Sequence, residues 1–162
     1  METEINNQTN CCPKFNPSLY DEKEFIWQDK LFIKDSIPTF LHMPLPSKVG
    51  SVMEKLWTKA KDVNANSDEF LCLTHDPSAW KSEYYMAVSE EISGIENVKL
   101  TGTFLTKVFD GPYSAVPKWI KEMDGYLKTK GRKAKKYYFY YTTCPKCAKI
   151  YGQNYVVLFA EV

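Results

Sequence analysis

The sequence predicts an α+β fold of duplicated β-α-β-β units, forming antiparallel sheet with helices on one side. Three observations lead there. Two stretches, 47–63 and 114–129, carry apolar residues three and four apart, and most other apolar residues fall in short strand-like runs. Each helical stretch follows one strand candidate and precedes two, so one order of elements occurs twice, as a repeat of architecture rather than of sequence. Units of this kind pack their helices on one face of a sheet. The opposite face must then be covered by the other half or by a ligand.

The elements follow in chain order. Residues 1–24, rich in Asn, Pro and charge, form an N-terminal extension that reads as a tail or wrap. A single domain fills 25–162, with repeat one over about 25–98 and repeat two over about 99–162. Phe25-Ile26-Trp27 and Lys30-Leu31-Phe32-Ile33 are short extended pieces, and Phe40 to Pro46 is a third, stopped by prolines. Val49, Val52, Met53, Leu56, Trp57, Ala60 and Val63 set the first helix, with Ser47 as its expected cap. Phe70 to His75 reads as a buried strand, Asp76-Pro77-Ser78 as a turn, and Glu83 to Ser89 as the next strand. Lys99 to Phe109 is a long strand, and Gly111-Pro112-Tyr113 turns into the second helix, striped by Val116, Ile120, Met123 and Leu127. Lys136 to Thr142 and Asn154 to Val162 are the last strands.

Composition bounds the function. A chain of 162 residues with 44% hydrophobic and 25% charged residues folds around a core without staples. A net charge of +1 gives no support to general polyanion binding. Twenty of the 21 basic residues are Lys and only Arg132 is Arg, which argues against a nucleic-acid reader. The run Lys128 to Lys136 complements a helix C-terminus as a solvated turn. No run approaches 18 apolar residues, so no membrane span is expected. Met1 to Asn10 lacks the basic and apolar regions of a secretory signal. Five cysteines make no complete set of intramolecular disulfides, and a cytoplasmic location with reduced thiols is expected.

The cysteines give the sharpest local pattern. Cys11-Cys12 and Cys144-Pro145-Lys146-Cys147 bring four thiols in two clusters, enough for a tetrahedral structural zinc that would pin the N-terminal segment to the last hairpin. A redox dithiol and plain packing stay open beside it. No organic cofactor is implied, since there is no Gly-rich phosphate loop or dinucleotide signature. Cys72, inside an apolar strand, is expected to be an inert core thiol.

Aromatics come next. Tyr138 and Tyr140 share one strand face, and Tyr137, Phe139 and Tyr141 the other. Only one face is needed for a helix, so the other is a candidate pocket wall, completed by Trp80, Tyr85, Phe109 and Tyr113. An aromatic core with hydroxyls reaching the surface is the bland alternative. Glu83 is the carboxylate of interest: desolvated by aromatics, its pKa would rise towards neutrality and suit acid–base work. As a solvated strand edge it would do nothing. His42 and His75 have no ligand spacing, and His75 beside Asp76-Pro77 suggests a turn.

Residues Thr106 to Tyr113, the helix with Trp119, Gly131 and Tyr138 to Tyr141 resemble the GyrI-like small-molecule-binding domain. The chain is also similar to a smaller subgroup, through Cys11-Cys12, Thr142 to Lys149, Tyr151-Gly152 and Val156 to Ala160, a resemblance covering nearly everything from Cys11. It implies two strand-helix-strand-strand units, a SOUL-like fold, around a central ligand cleft. The broad family includes effector-binding domains of multidrug-responsive regulators, gyrase-modulating proteins and hydrolases of cyclopropane-containing DNA alkylators. The family's recurrent cleft glutamate, near the strand after the second helix, has no counterpart in Lys136 to Tyr141, and Glu83 is expected on the corresponding strand of repeat one. The implied function is binding of hydrophobic or aromatic small molecules, with hydrolysis of strained electrophiles by Glu83 as base and Tyr138 as hydrogen-bond donor. A non-catalytic sequestering or sensing protein and a protein-interaction module are the alternatives, so turnover is left open. A DNA-gyrase-type protein partner follows from the resemblance alone.

Overall fold

A computed structural model describes residues 15–65, 71–142, 149 and 152–162. These residues divide into two compact units, the first spanning residues 26–102 and the second combining residues 15–25 with 103–162. The strands are β1 (Lys23–Phe40), β2 (Met43–Pro44), β3 (Cys72–Ser78), β4 (Lys81–Ala87), β5 (Glu96–Asp110), β6 (Lys136–Tyr141) and β7 (Tyr155–Glu161). The helices are α1 (Pro46–Asp62) and α2 (Val116–Thr129).

Both units share one topology. In the first, strand order is β2-β1-β4-β3; in the second it is β6-β7-β5, with antiparallel neighbours. β4 in the first unit and β7 in the second thus insert between strands that the unit's helix connects. This is the duplicated β-α-β-β architecture expected from the two helical periods, an α+β fold with each helix on one face of antiparallel sheet.

Sequence sets the helix ends. Ser47 does not cap α1: Leu45 is the N-cap residue and makes no side-chain bond, while Pro46 opens the helix where an amide hydrogen is not needed. Asn64, at φ 54°, ends α1, with Ala65 N–H donating to Ala60 C=O. Gly131, at φ 67°, ends α2 in the same way, with Arg132 N–H donating to Leu127 C=O. The basic run after α2 therefore sits at a helix C-terminus, where cations are favourable.

Each core lies between helix and sheet. Val52, Leu56 and Ala60 of α1 pack on Ile33, Ile37, Tyr84 and Met86. Trp119, Met123 and Leu127 of α2 pack on Leu105, Phe109, Val156 and Leu158. Cys72 belongs to the first layer, its thiol 3.5 Å from Met53 Sδ, and burial pushes its pKa up to about 12.

Several strand limits differ from expectation. The first two extended pieces are one 18-residue strand, and Leu41-His42 turns it into β2 with both residues at positive φ. That turn and the neighbouring hairpin tip expose Phe40, Leu41, Met43 and Trp80. Asp76-Pro77-Ser78 is not the turn: it belongs to β3, where the register shifts between His75 and Ser78, and the chain reverses at Ala79-Trp80. A shifted register tolerates Pro77, which has no amide hydrogen for the ladder.

Candidate functional site

In β1, β3 and β4 alternate residues face α1, so the remaining set shares the opposite face. On that face Lys34 lies directly across from Tyr85, and Glu83 lies between Ser36 on β1 and His75 on β3. Strand pairing thus gathers a carboxylate, an ammonium, a phenol and an imidazole within two cross-strand rows.

Glu83 is the centre of the group. Its side chain is only 9% exposed, and that of Lys34 is 18% exposed. Lys34 Nζ lies 2.5 Å from Glu83 Oε2, and the Tyr85 hydroxyl donates to Glu83 Oε1 at 3.2 Å. Lys81 Nζ stands 4.0 Å from Oε2 at the exposed margin. Lys34 Nζ also lies over the Tyr85 ring, 5.4 Å from its centroid.

These partners reverse the expected shift of Glu83. Burial acts to raise its pKa, but the Lys34 hydrogen bond and charge, then the Tyr85 hydroxyl and Lys81, hold it below the ordinary carboxylate range. Glu83 is therefore an ionised, paired carboxylate near neutrality. It stands on β4, the strand inserted between β1 and β3, so its topological counterpart is β7, whereas the sequence had suggested β6.

The other expected site residues are distributed as follows. Tyr85 joins Glu83. Trp80 sits at the β3–β4 tip, 57% exposed, with its ring 5.4 Å from that of Phe40. Phe109 faces α2 and stacks on Trp119 at 5.6 Å, which makes it a core residue and not a cleft wall. Gly111, at φ 150°, follows it, and a Cβ there would come within 3.3 Å of Trp119. Tyr113 lies in the short turn before α2, edge-on to Tyr141 at 5.4 Å.

Tyr138 and Tyr140 are buried on the second unit's face away from α2. Around Tyr140 and Phe159 that face is covered from within the unit. Tyr20, 7% exposed, packs 5.9 Å from the Tyr140 ring and 6.0 Å from Phe159, flanked by Phe15 and Phe25. Thr106 Oγ1 donates to Tyr20 C=O and fixes the segment to β5. Residues 15–25 are thus a wrap over aromatic sheet.

Cys11, Cys12, Cys144 and Cys147, the expected zinc ligands, lie outside the described residues. Among the described residues no group of His, Cys, Asp or Glu could hold a metal ion, and no helix is long and apolar enough to cross a membrane. Sequence reasoning missed Lys34 and His75. Lys34 left little signal, since it stands between Lys30 and Asp35 in a strand with many polar residues.

A family model described as bacterial hydrolase matches residues 2–162. The chain belongs to that family. A hydrolase from Listeria innocua superposes with a TM-score of 0.61 at 13% identity, covering 87% of this chain and 91% of that one. The EcmrR C-terminal domain gives the same TM-score and identity, covering 88% and 97%. At such identities these likenesses show a shared fold. No curated protein matches the chain in sequence.

Proposed function

We propose that the chain binds hydrophobic or aromatic small molecules at the Glu83 face of the first unit and hydrolyses strained electrophiles there, such as cyclopropane-bearing DNA alkylators. The observation that carries this reading is the buried, ionised Glu83 with Lys34 on one oxygen and Tyr85 on the other. The hydrolase family supports it, as does the resemblance to a subgroup, marked by Cys11-Cys12 and Cys144 to Cys147, that is related to ring-opening hydrolases.

Ring opening needs a base at one end and a stabilised anion at the other. Water attacks the strained ring carbon, and the ring C–C bond breaks towards the conjugated carbonyl, whose oxygen gains the charge. Glu83 takes the proton released by the water. Lys34 fits the oxyanion role expected of Tyr138, because an ammonium stabilises developing charge strongly where water is scarce. The proton then passes from Glu83 to that oxygen, so substrate and water give a ring-opened alcohol with a new hydroxyl, and nothing is oxidised.

Hydrolysis of such an alkylator by the wild type and by Glu83→Gln, with affinity measured alongside, tests the reading. Turnover lost with affinity kept is expected. Equal turnover in both proteins removes Glu83 from the chemistry. A second reading, a binder that sequesters its ligand, is favoured by the depressed pKa of Glu83, since a more acidic carboxylate is a weaker base. Tight binding without turnover in the wild type selects it. We keep zinc at Cys11, Cys12, Cys144 and Cys147, and a cytoplasmic setting with reduced thiols, as parts of the proposal. Metal analysis with thiol counting and cell fractionation test them.

A further inference from the structure

We infer that the Lys34 ammonium fills the place beside Glu83 and the Tyr85 ring that an organic cation would need, so that the site takes neutral or anionic aromatic ligands and rejects organic cations. The inference rests on the small-molecule reading of this face and adds the charge class of the ligand.

An organic cation is held in an aromatic site by two attractions, a carboxylate and the π-face of a ring. Here both are directed at one ammonium of the chain itself. Lys34 Nζ is 2.5 Å from Glu83 Oε2 and 5.4 Å from the Tyr85 ring centroid. The other carboxylate oxygen accepts the Tyr85 hydroxyl. Lys81 adds a second positive charge 4.0 Å from Oε2, so two ammonium groups face one carboxylate. The pairing of Lys34 with Tyr85 across β1 and β4 holds the ammonium in this place. An incoming cation would have to displace Lys34 and then meet two like charges, whereas a carbonyl or an anion gains a donor.

Tetraphenylborate and tetraphenylphosphonium have nearly the same shape and opposite charge, and 2-naphthol supplies a neutral aromatic. Binding of all three to the full chain by calorimetry tests the inference. The wild type is expected to bind the borate about tenfold or more tighter than the phosphonium. Lys34→Met should reverse that order by removing the ammonium from Glu83 and from the Tyr85 ring, and Lys34→Arg should keep it. A wild type that binds the phosphonium as tightly as the borate overturns the inference even if the variants do not fold. So does a preference unchanged in a folded Lys34→Met protein. If 2-naphthol binds and the charge preference is absent, only the inference falls. If none of the three probes binds, the small-molecule reading falls with it.

Discussion

In the second unit the sheet face away from the helix carries Phe104, Thr106, Phe159, Tyr138 and Tyr140, and residues 15–25 lie over its Thr106, Tyr140 and Phe159. In the first unit the matching face carries Phe32, Lys34, Ser36, Leu73, His75, Glu83 and Tyr85. The same topology has thus been given two chemistries. An aromatic face covered by its own chain contributes stability through apolar burial. A largely buried ion pair is a weak source of stability, because desolvation offsets most of its attraction. Keeping charge on one face while the other is apolar separates a scaffold from a site.

The contrast breaks most visibly at the wrap. Tyr20→Ala empties a position between Phe15, Phe25, Tyr140 and Phe159, and should cost about 3–5 kcal/mol in denaturant unfolding. A loss under about 1 kcal/mol would show that Tyr20 does not hold the wrap down, since cavities in packed cores cost more.

Next in size is Lys34→Met, which leaves Glu83 charged and short of its main partner. About 1–3 kcal/mol should be lost, less than for a fully buried pair because Lys34 is partly exposed. Adding Glu83→Gln to that variant should restore part of the loss. If the double variant is no more stable than Lys34→Met, the two side chains are not coupled. Acid titration sharpens the point. The folded pKa of Glu83 lies below its ordinary value of 4.5, so its contribution is complete above that value and disappears as pH falls through the folded one. The stability difference between wild type and Glu83→Gln should therefore shrink on acidification. A difference that grows would mean that Glu83 is destabilised as an anion.

Smaller effects come from single hydroxyls. Thr106→Val removes the donor to Tyr20 C=O and should cost about 1–1.5 kcal/mol, with faster proteolysis before residue 25. An unchanged cleavage rate would detach Thr106 from the wrap. Tyr85→Phe should cost about 0.5–1 kcal/mol and move the Glu83 carboxyl pKa upward, as read by NMR titration. No movement would mean that the phenol does not reach the carboxylate in solution.

Helical period alone located α1 and α2, whose observed limits of 46–62 and 116–129 nearly match the apolar stripes. Strand length was harder to read, since Lys34 and Asp35 interrupt the apolar run of β1. Both charges are paired, Lys34 with Glu83 and Asp35 with Lys55 at 2.8 Å, so the strand continues through them. Glu83 stood out as a carboxylate beside tyrosines, but its ion pair depends on the register of β1 against β4, a non-local fact. Alternation separated the two faces of β5 without telling which one meets the helix, and Phe109 was assigned to the wrong one for that reason.

The wrap also has a bearing on synthesis. Residues 26–102 form a continuous unit, whereas Tyr20 must wait for Thr106, 86 residues later, and then for Tyr140 and Phe159. At bacterial elongation speeds that delay is roughly ten seconds, long on the scale of domain folding. Three aromatic residues near the emerging end therefore stay unburied while the first unit folds beside them. Nascent chains arrested with residue 102 just outside the ribosome should already protect Cys72 from thiol reagents and still leave Tyr20 open to chaperones, with release of the full chain closing that window.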